Sequence, residues 1–294
     1  VEDLQQPTQS RHCLLFLSPK STFLVEERKS KRQSRLKLVF PCYRMSSSTL
    51  TSPNGNGSPY RTLIIAGGTD GIGFALLTAE CYERNKYSKI YVLGRDFSRV
   101  RQLKDYTLQI IELAGDITKL NDLSAVLARI DEVVNDVVLT IGSFQRGKIA
   151  DINDDEIASH FHLNCISTIR FLRSIVDKLQ PGNSQILVCT ASLALMARTP
   201  YALQSATKSA MRSFVETLRD ELRGRTRVMN LMPPSVNTQI FAKAGDDRLT
   251  TAYPPASRIA SSMQFLLDCP YDICIPELLI EQHCFNSDIN EEEK

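Results

Sequence analysis

Several signatures are missing from this chain of 294 residues. Its eight cysteines, Cys13, Cys42, Cys81, Cys165, Cys189, Cys269, Cys274 and Cys284, form no C-x-x-C pair and no regular framework. That spacing argues against a disulfide scaffold and for reduced thiols in a cytosol-like compartment, with Cys165 and Cys189 as small buried hydrophobes. The four histidines make no H-E-x-x-H. His160 and His162 stand two apart, on opposite faces of a helix, so no metal is expected. No stretch reaches the eighteen apolar residues of a membrane span, and Cys13 to Leu17 is too short for a secretory core. A net charge of only +2 excludes a strong commitment of the whole molecule to nucleic acid. Internal repeats are absent as well.

What is present suits a globular protein. A hydrophobic content of 43% with 23% charged residues, over this length, can bury a core without disulfides or a structural metal. The positive charge is concentrated early: residues 1–44 carry nine Lys/Arg against four Asp/Glu, and Arg28 to Arg44 holds seven Lys/Arg and no acid. Such a segment permits a plastid or mitochondrial transit peptide. Alternatively the native start is Met45 and the earlier residues are an upstream artefact, in which case a cytoplasmic location is expected. The expected organisation is a disordered basic and polar leader over 1–59, one folded domain over 60–285, and an acidic disordered tail over 286–294.

From Arg61 onward short apolar runs alternate with amphipathic stretches. Strands are expected at 62–66, 89–93, 108–113, 136–141, 185–190, 226–231 and 276–280, with helical patterns near 72–85, 97–104, 121–129, 154–180, 200–223 and 256–268. Buried-looking strands alternating with helices predict an α/β fold, a single doubly wound Rossmann-type parallel sheet with helices on both faces.

The first strand runs directly into Gly67, Gly68, Gly71 and Gly73, and a helix opens from the last of these. A turn of this kind brings bare backbone N–H groups and a helix N-terminus against a phosphate. The spacing Gly67-x-x-x-Gly71-x-Gly73 resembles that of the short-chain dehydrogenase/reductase family, and further motifs fall in the family's order over roughly 61–284. Gly115-Asp116-Ile117 resembles its adenine-contacting segment, Val137 to Gly142 stands in its strand-four motif, and Asn164 matches its helix-four Asn. Lys208 in SATKSAM matches the active-site Lys, and Pro233 to Thr238 resembles the segment flanking the nicotinamide. The resemblance implies a cofactor site built from Gly67, Thr69, Asp70, Gly71, Ile72, Gly73, Arg95, Asp116, Ile117, Thr140, Gly142, Lys208, Pro233, Val236 and Thr238. It also implies a homodimer or homotetramer through helices four and five.

One position speaks to the choice of dinucleotide. The end of strand two carries Arg95 where an acid would favour the ribose of NAD. A guanidinium offers bidentate bonds to a 2′-phosphate, so NADP is expected over NAD, with Asp70 and Asp96 as opposing charges.

The resemblance implies reduction or oxidation of a small carbonyl/alcohol pair with Ser192, Lys208 and Asn164 in the catalytic group. The family's Tyr, four residues before the Lys, is replaced here by Gln204. A carboxamide donates a hydrogen bond but has no proton to give up and recover near neutral pH. Tyr201 is the one nearby phenol: with Thr199 as N-cap and Pro200 opening the helix, it shares a stripe with Gln204 and Lys208, at ~10.5 Å of axial rise from the latter. The alternative is a catalytically impaired dinucleotide-binding protein that acts as sensor or scaffold.

Overall fold

The computed structural model describes residues 61–84, 86–104, 106–248 and 250–283. The leader, the tail, Cys13, Cys42 and Cys284 lie outside them. Seven strands form one parallel sheet in the order β3-β2-β1-β4-β5-β6-β7. They are β1 (Arg61–Ala66), β2 (Tyr87–Gly94), β3 (Gln109–Ala114), β4 (Asp136–Leu139), β5 (Ser184–Cys189), β6 (Thr226–Met232) and β7 (Glu277–Leu279). The helices are α1 (Gly71–Tyr82), α2 (Leu120–Ala128), α3 (Asp154–Phe161), α4 (Thr168–Ile175), α5 (Ala202–Glu221), α6 (Ile240–Lys243) and α7 (Ala256–Asp268). The expected doubly wound α/β architecture is therefore the observed one.

Alternation along β1 explains the layering. Leu63 and Ile65 face one layer with Leu76 and Leu77 of α1 and Met263 and Leu266 of α7. Ile64 and Ala66 face the other, with Phe171 and Leu172 of α4 and Val215 and Leu218 of α5. Burying each large side chain contributes roughly 2 kcal/mol, and a strand covered on both faces has no polar side to show. The chain runs outward from β1 through β2 to β3 and then returns to β4 on the other flank of β1. That reversal leaves a crevice beyond the carboxyl ends of β1 and β4, the place where open α/β sheets bind ligands.

Two helical expectations are corrected. Residues 97–104 contain only one 3-10 turn, Val100–Gln102, because Leu103 is already extended. The pattern over 154–180 is broken into α3, a π-helical segment His162–Ser167, α4 and a 3-10 turn at Val176–Lys178. Hydrophobic periodicity reports a buried face but not the width of each turn, and here the Thr168 hydroxyl donates 3.2 Å to the carbonyl of Leu163, five residues back. The wide turn carries Asn164.

Candidate active site

The glycine turn is nested too tightly for side chains. Gly67 has φ +93° and its N–H donates to the Leu93 carbonyl at 2.9 Å. A Cβ on Gly73 would lie 2.3 Å from the Gly67 carbonyl oxygen and 2.5 Å from Thr140 Oγ1. One on Gly94 would lie 2.3 Å from the Thr69 side chain. The turn is thus pressed against the ends of both β2 and β4. Above it opens a crevice of about 260 Å³, lined by Gly67, Thr69 to Ile72, Arg95, Asp116, Ile117, Thr140, Gly142 and Thr238. Asp116 is fixed by its own turn, accepting from the Thr118 N–H at 3.0 Å and the Thr118 hydroxyl at 2.7 Å.

Asp70 caps α1, its carboxylate accepting the Gly71 N–H at 2.8 Å. The same carboxylate is paired with Lys243 at 2.5 Å and with Arg99. Burial works to raise its pKa, but the bonds from Lys243 and Gly71 and the charges of Lys243 and Arg99 hold it below the usual carboxylate range. The Arg99 guanidinium also lies 4.3 Å above the Phe74 ring, which anchors it on α1. Asp96 turns aside to accept the Ser98 N–H at 2.9 Å. Arg95 is exposed on the crevice wall and, among the described residues, its guanidinium makes no hydrogen bond or ion pair. Two opposing acids are therefore engaged elsewhere, and one arginine is uncommitted. Arg99 and Lys243 carry no motif that spacing could reveal, since they converge on Asp70 from distant parts of the chain.

Deeper in the fold, a second cavity of about 120 Å³ shares Ile72, Thr140, Gly142 and Thr238 with the crevice and brings Ser192, Tyr201, Gln204, Lys208, Pro233 and Val236 onto its walls. Lys208 is buried, and burial pushes its pKa down, against smaller upward pulls from Cys189 and Cys165. Among the described residues its ammonium makes no hydrogen bond or ion pair; a Cβ on Gly142 would lie 3.1 Å from its Nζ and 3.3 Å from Asn164 Oδ1. Buried donors in native proteins are nearly always satisfied, which sets this ammonium apart. Gln204 is buried too, and its Oε1 has no hydrogen-bond partner among the described residues. Ser192 opens a 3-10 turn, its N–H donating to the Pro233 carbonyl at 2.9 Å, while its hydroxyl is unbonded among the described residues.

Asn164 is held by a network that sequence reasoning missed. Its Oδ1 accepts from the Ser143 N–H at 2.8 Å, and its Nδ2 lies 3.0 Å from His160 Nε2. The other imidazole nitrogen is 2.9 Å from Ser143 Oγ. Only the interval of four between His160 and Asn164 hinted at it. Burial pushes His160 down to about 4, against an upward pull from Gln204 and with a further push from the Lys208 charge. The neutral ring is thus favoured in the fold, so the unfolded chain binds the extra proton between its ordinary pKa near ~6.5 and about 4, and stability falls as pH drops through that window. His160→Gln is expected to flatten the decline of melting temperature between pH 6.5 and 4 relative to wild type; parallel curves would refute the assignment.

The start of α5 is a correction. Thr199 does not cap it and Pro200 does not open it: the helix begins at Ala202, and Tyr201, at φ −113° and ψ 33°, occupies the cap position. Tertiary packing outweighs the capping signal, since the Tyr201 ring lies 6.0 Å from that of Phe144 and its hydroxyl accepts from Arg248 at 3.4 Å. Arg248 in turn sits 5.0 Å and 4.6 Å from the rings of Phe144 and Phe241. Burial works against its charge, yet bonds to Asp246, Tyr201 and Tyr253 keep its pKa above the usual arginine range.

Among the described residues, no three His, Cys, Asp or Glu side chains gather as metal ligands, and no helix is long and apolar enough to cross a membrane. Residues 61–249 match the family described as short chain dehydrogenase. An uncharacterized oxidoreductase of Bacillus subtilis, YvrD, is 25% identical over 181 residues, which is 59% of this chain and 67% of that protein. Among solved structures, a short-chain dehydrogenase from Sphingobium yanoikuyae in complex with NADPH superposes with a TM-score of 0.63 at 20% identity, covering 74% of this chain and 86% of that one. An alcohol dehydrogenase from Thermococcus sibiricus complexed with 5-hydroxy-NADP gives 0.65 at 20% identity, covering 75% and 96%.

Proposed function

Since the chain belongs to the short-chain dehydrogenase family of NAD(P)-dependent oxidoreductases, we propose that it uses NADP to interconvert a small carbonyl and its alcohol. The observation that carries this reading is the buried Lys208 ammonium beside Gly142, which has no partner among the described residues. Ribose hydroxyls are acceptors of the kind it lacks, and the close-packed glycine turn suits a pyrophosphate. In this reading the backbone of Gly67 to Gly73 cradles the phosphates, Asp116 and Ile117 meet the adenine, and Pro233 to Thr238 flank the nicotinamide, which supplies the hydride when bound.

Three features support NADP over NAD. Arg95 is uncommitted, Asp96 is turned away, and Lys243 and Arg99 neutralise Asp70. Arg95→Gln is expected to weaken NADPH about tenfold with NADH unchanged, the loss of one charge-assisted pair. Equal weakening of both coenzymes in calorimetry would assign Arg95 some other role. Lys243→Gln should likewise cost NADPH more than NADH, because it leaves the Asp70 charge facing an incoming phosphate.

At the reacting end Ser192 and Gln204 orient the substrate oxygen by hydrogen bonds, Asn164 is kept in place by Ser143 and His160, and the rings of Phe144, Phe241 and Tyr201 form an apolar wall. Gln204 positions without transferring a proton. On reduction the substrate oxygen then takes its proton from a solvent water, and on oxidation gives it to one, a route that makes turnover slow. Helices α4 and α5 are the proposed subunit interface of a homo-oligomer, and the folded domain is proposed to span 60–285.

The test is direct titration with NADPH and NADH, followed by NADPH oxidation against a panel of small carbonyls. Binding with no turnover on any of them would favour the second reading, a sensor or scaffold, to which Gln204 also points. No binding of either coenzyme would refute both.

A further inference from the structure

At the opposite end of the sheet, where β5 and β6 begin, lies a separate cavity of about 340 Å³. Its walls come from the C-terminal turns of α5, the turn leading to β6 and the segment 271–276. A nine-residue run, RDELRGRTR, supplies four arginines to its lining: Arg219 and Arg223 one helical turn apart on or just after α5, then Arg225 and Arg227. Arg227 is only 7% exposed. Its donors go to Gln185 Oε1 and to the carbonyls of Cys269, Pro270 and Ile273, at 2.7 to 3.1 Å, all of them neutral. Among the described residues, no anion is paired with this buried cation.

Its neighbours do not supply one. Arg223 pairs with Asp220 at 2.6 Å on the exposed side, and Arg219 has a single long bond, 3.4 Å, to the Pro276 carbonyl. Arg225 makes no side-chain hydrogen bond or ion pair among the described residues, and Asp272 is the one carboxylate on the cavity wall. Like charges converging in a concave site focus the field and favour an anion, and guanidiniums match the oxygens of a phosphate with paired donors. The volume is that of a small-molecule site rather than of a surface dimple.

We propose that this cavity is a second ligand site, for a small phosphate-bearing anion, distinct from the coenzyme crevice. Arg219 and Arg225 grip the phosphate, and buried Arg227 adds a fixed positive charge nearby.

The experiment titrates the full chain with inorganic pyrophosphate and with inorganic phosphate by calorimetry at constant ionic strength, with and without saturating NADPH. The double variant Arg219→Gln/Arg225→Gln, which breaks no strong internal bond, is measured alongside, with its thermal melt as the folding control. The expected result is saturable binding to wild type that NADPH does not displace, and a loss of about tenfold or more in the double variant at unchanged melting temperature. Absence of saturable binding to wild type would overturn the proposal. Displacement by NADPH with no effect of the double variant would overturn it too, by placing the anion in the crevice. So would binding of a DNA oligonucleotide but not pyrophosphate, which would mark a nucleic-acid surface instead. If NADPH itself does not bind, the coenzyme reading fails while the pyrophosphate titration still decides this one.

Discussion

Gln204→Tyr is expected to raise NADPH-dependent carbonyl reduction by about a hundredfold or more, the lower end of what a positioned general acid contributes. Gln204 is buried on the first turn of α5, one turn before Lys208 and on the same cavity wall. A phenol placed there would have a buried ammonium beside it, and a nearby positive charge favours the phenolate and lowers its pKa. The Lys208 ammonium would then do for a tyrosine what it cannot do for an amide. Initial rates at saturating NADPH, with coenzyme affinity measured in parallel, distinguish new chemistry from tighter binding. Tyr201→Phe is the control. Its hydroxyl accepts from Arg248, so its loss is expected to leave turnover within about twofold, well under the factor of 10²–10⁴ expected of an acid catalyst. A collapse of activity in Tyr201→Phe, with Gln204→Tyr inert, would move the proton donor to Tyr201 and overturn the assignment.

Gly73→Ala should abolish measurable coenzyme binding, an effect of at least about a hundredfold. The added methyl would meet the Gly67 carbonyl oxygen at 2.3 Å and Thr140 Oγ1 at 2.5 Å. The nearest neighbour is backbone, so no rotamer change relieves the clash. The turn must open, and overpacking of this kind costs about 1–3 kcal/mol of stability besides. Gly182→Ala is a useful contrast: nothing lies within 4 Å of its Cβ, although its φ of +73° carries a conformational cost. It should therefore lower the melting temperature slightly and leave NADPH binding intact. Unchanged NADPH affinity in Gly73→Ala would remove the phosphate cradle from the argument.

Local sequence was a good guide wherever a feature depends on neighbours along the chain. The seven strands lie within two residues of their expected bounds, because period-two burial and flanking turns are written locally. Gly67 to Gly73 announced a tight turn, since only residues without side chains tolerate those contacts. Gln204 was legible through the family resemblance, which marks the position four residues before Lys208.

Other features depend on what meets across the fold. The break at His162–Ser167 was hidden because a buried face continues through it, and burial does not report the width of a turn. The cap at Tyr201 was misread because a ring packed between Phe144 and Arg248 outweighs a local Thr-Pro signal. Asp70 stood in the sequence as an unpaired acid of the glycine turn; only the tertiary structure brings Arg99 and Lys243 onto it. The sequence by itself thus determined the sheet and the glycine turn, which follow from short-range sterics and periodicity, while Gln204 stands out only by the family resemblance. Tertiary structure alone decided which charges cancel, that Lys208 is left unpaired and that four arginines converge on one cavity, because electrostatics acts through space between residues far apart in the chain.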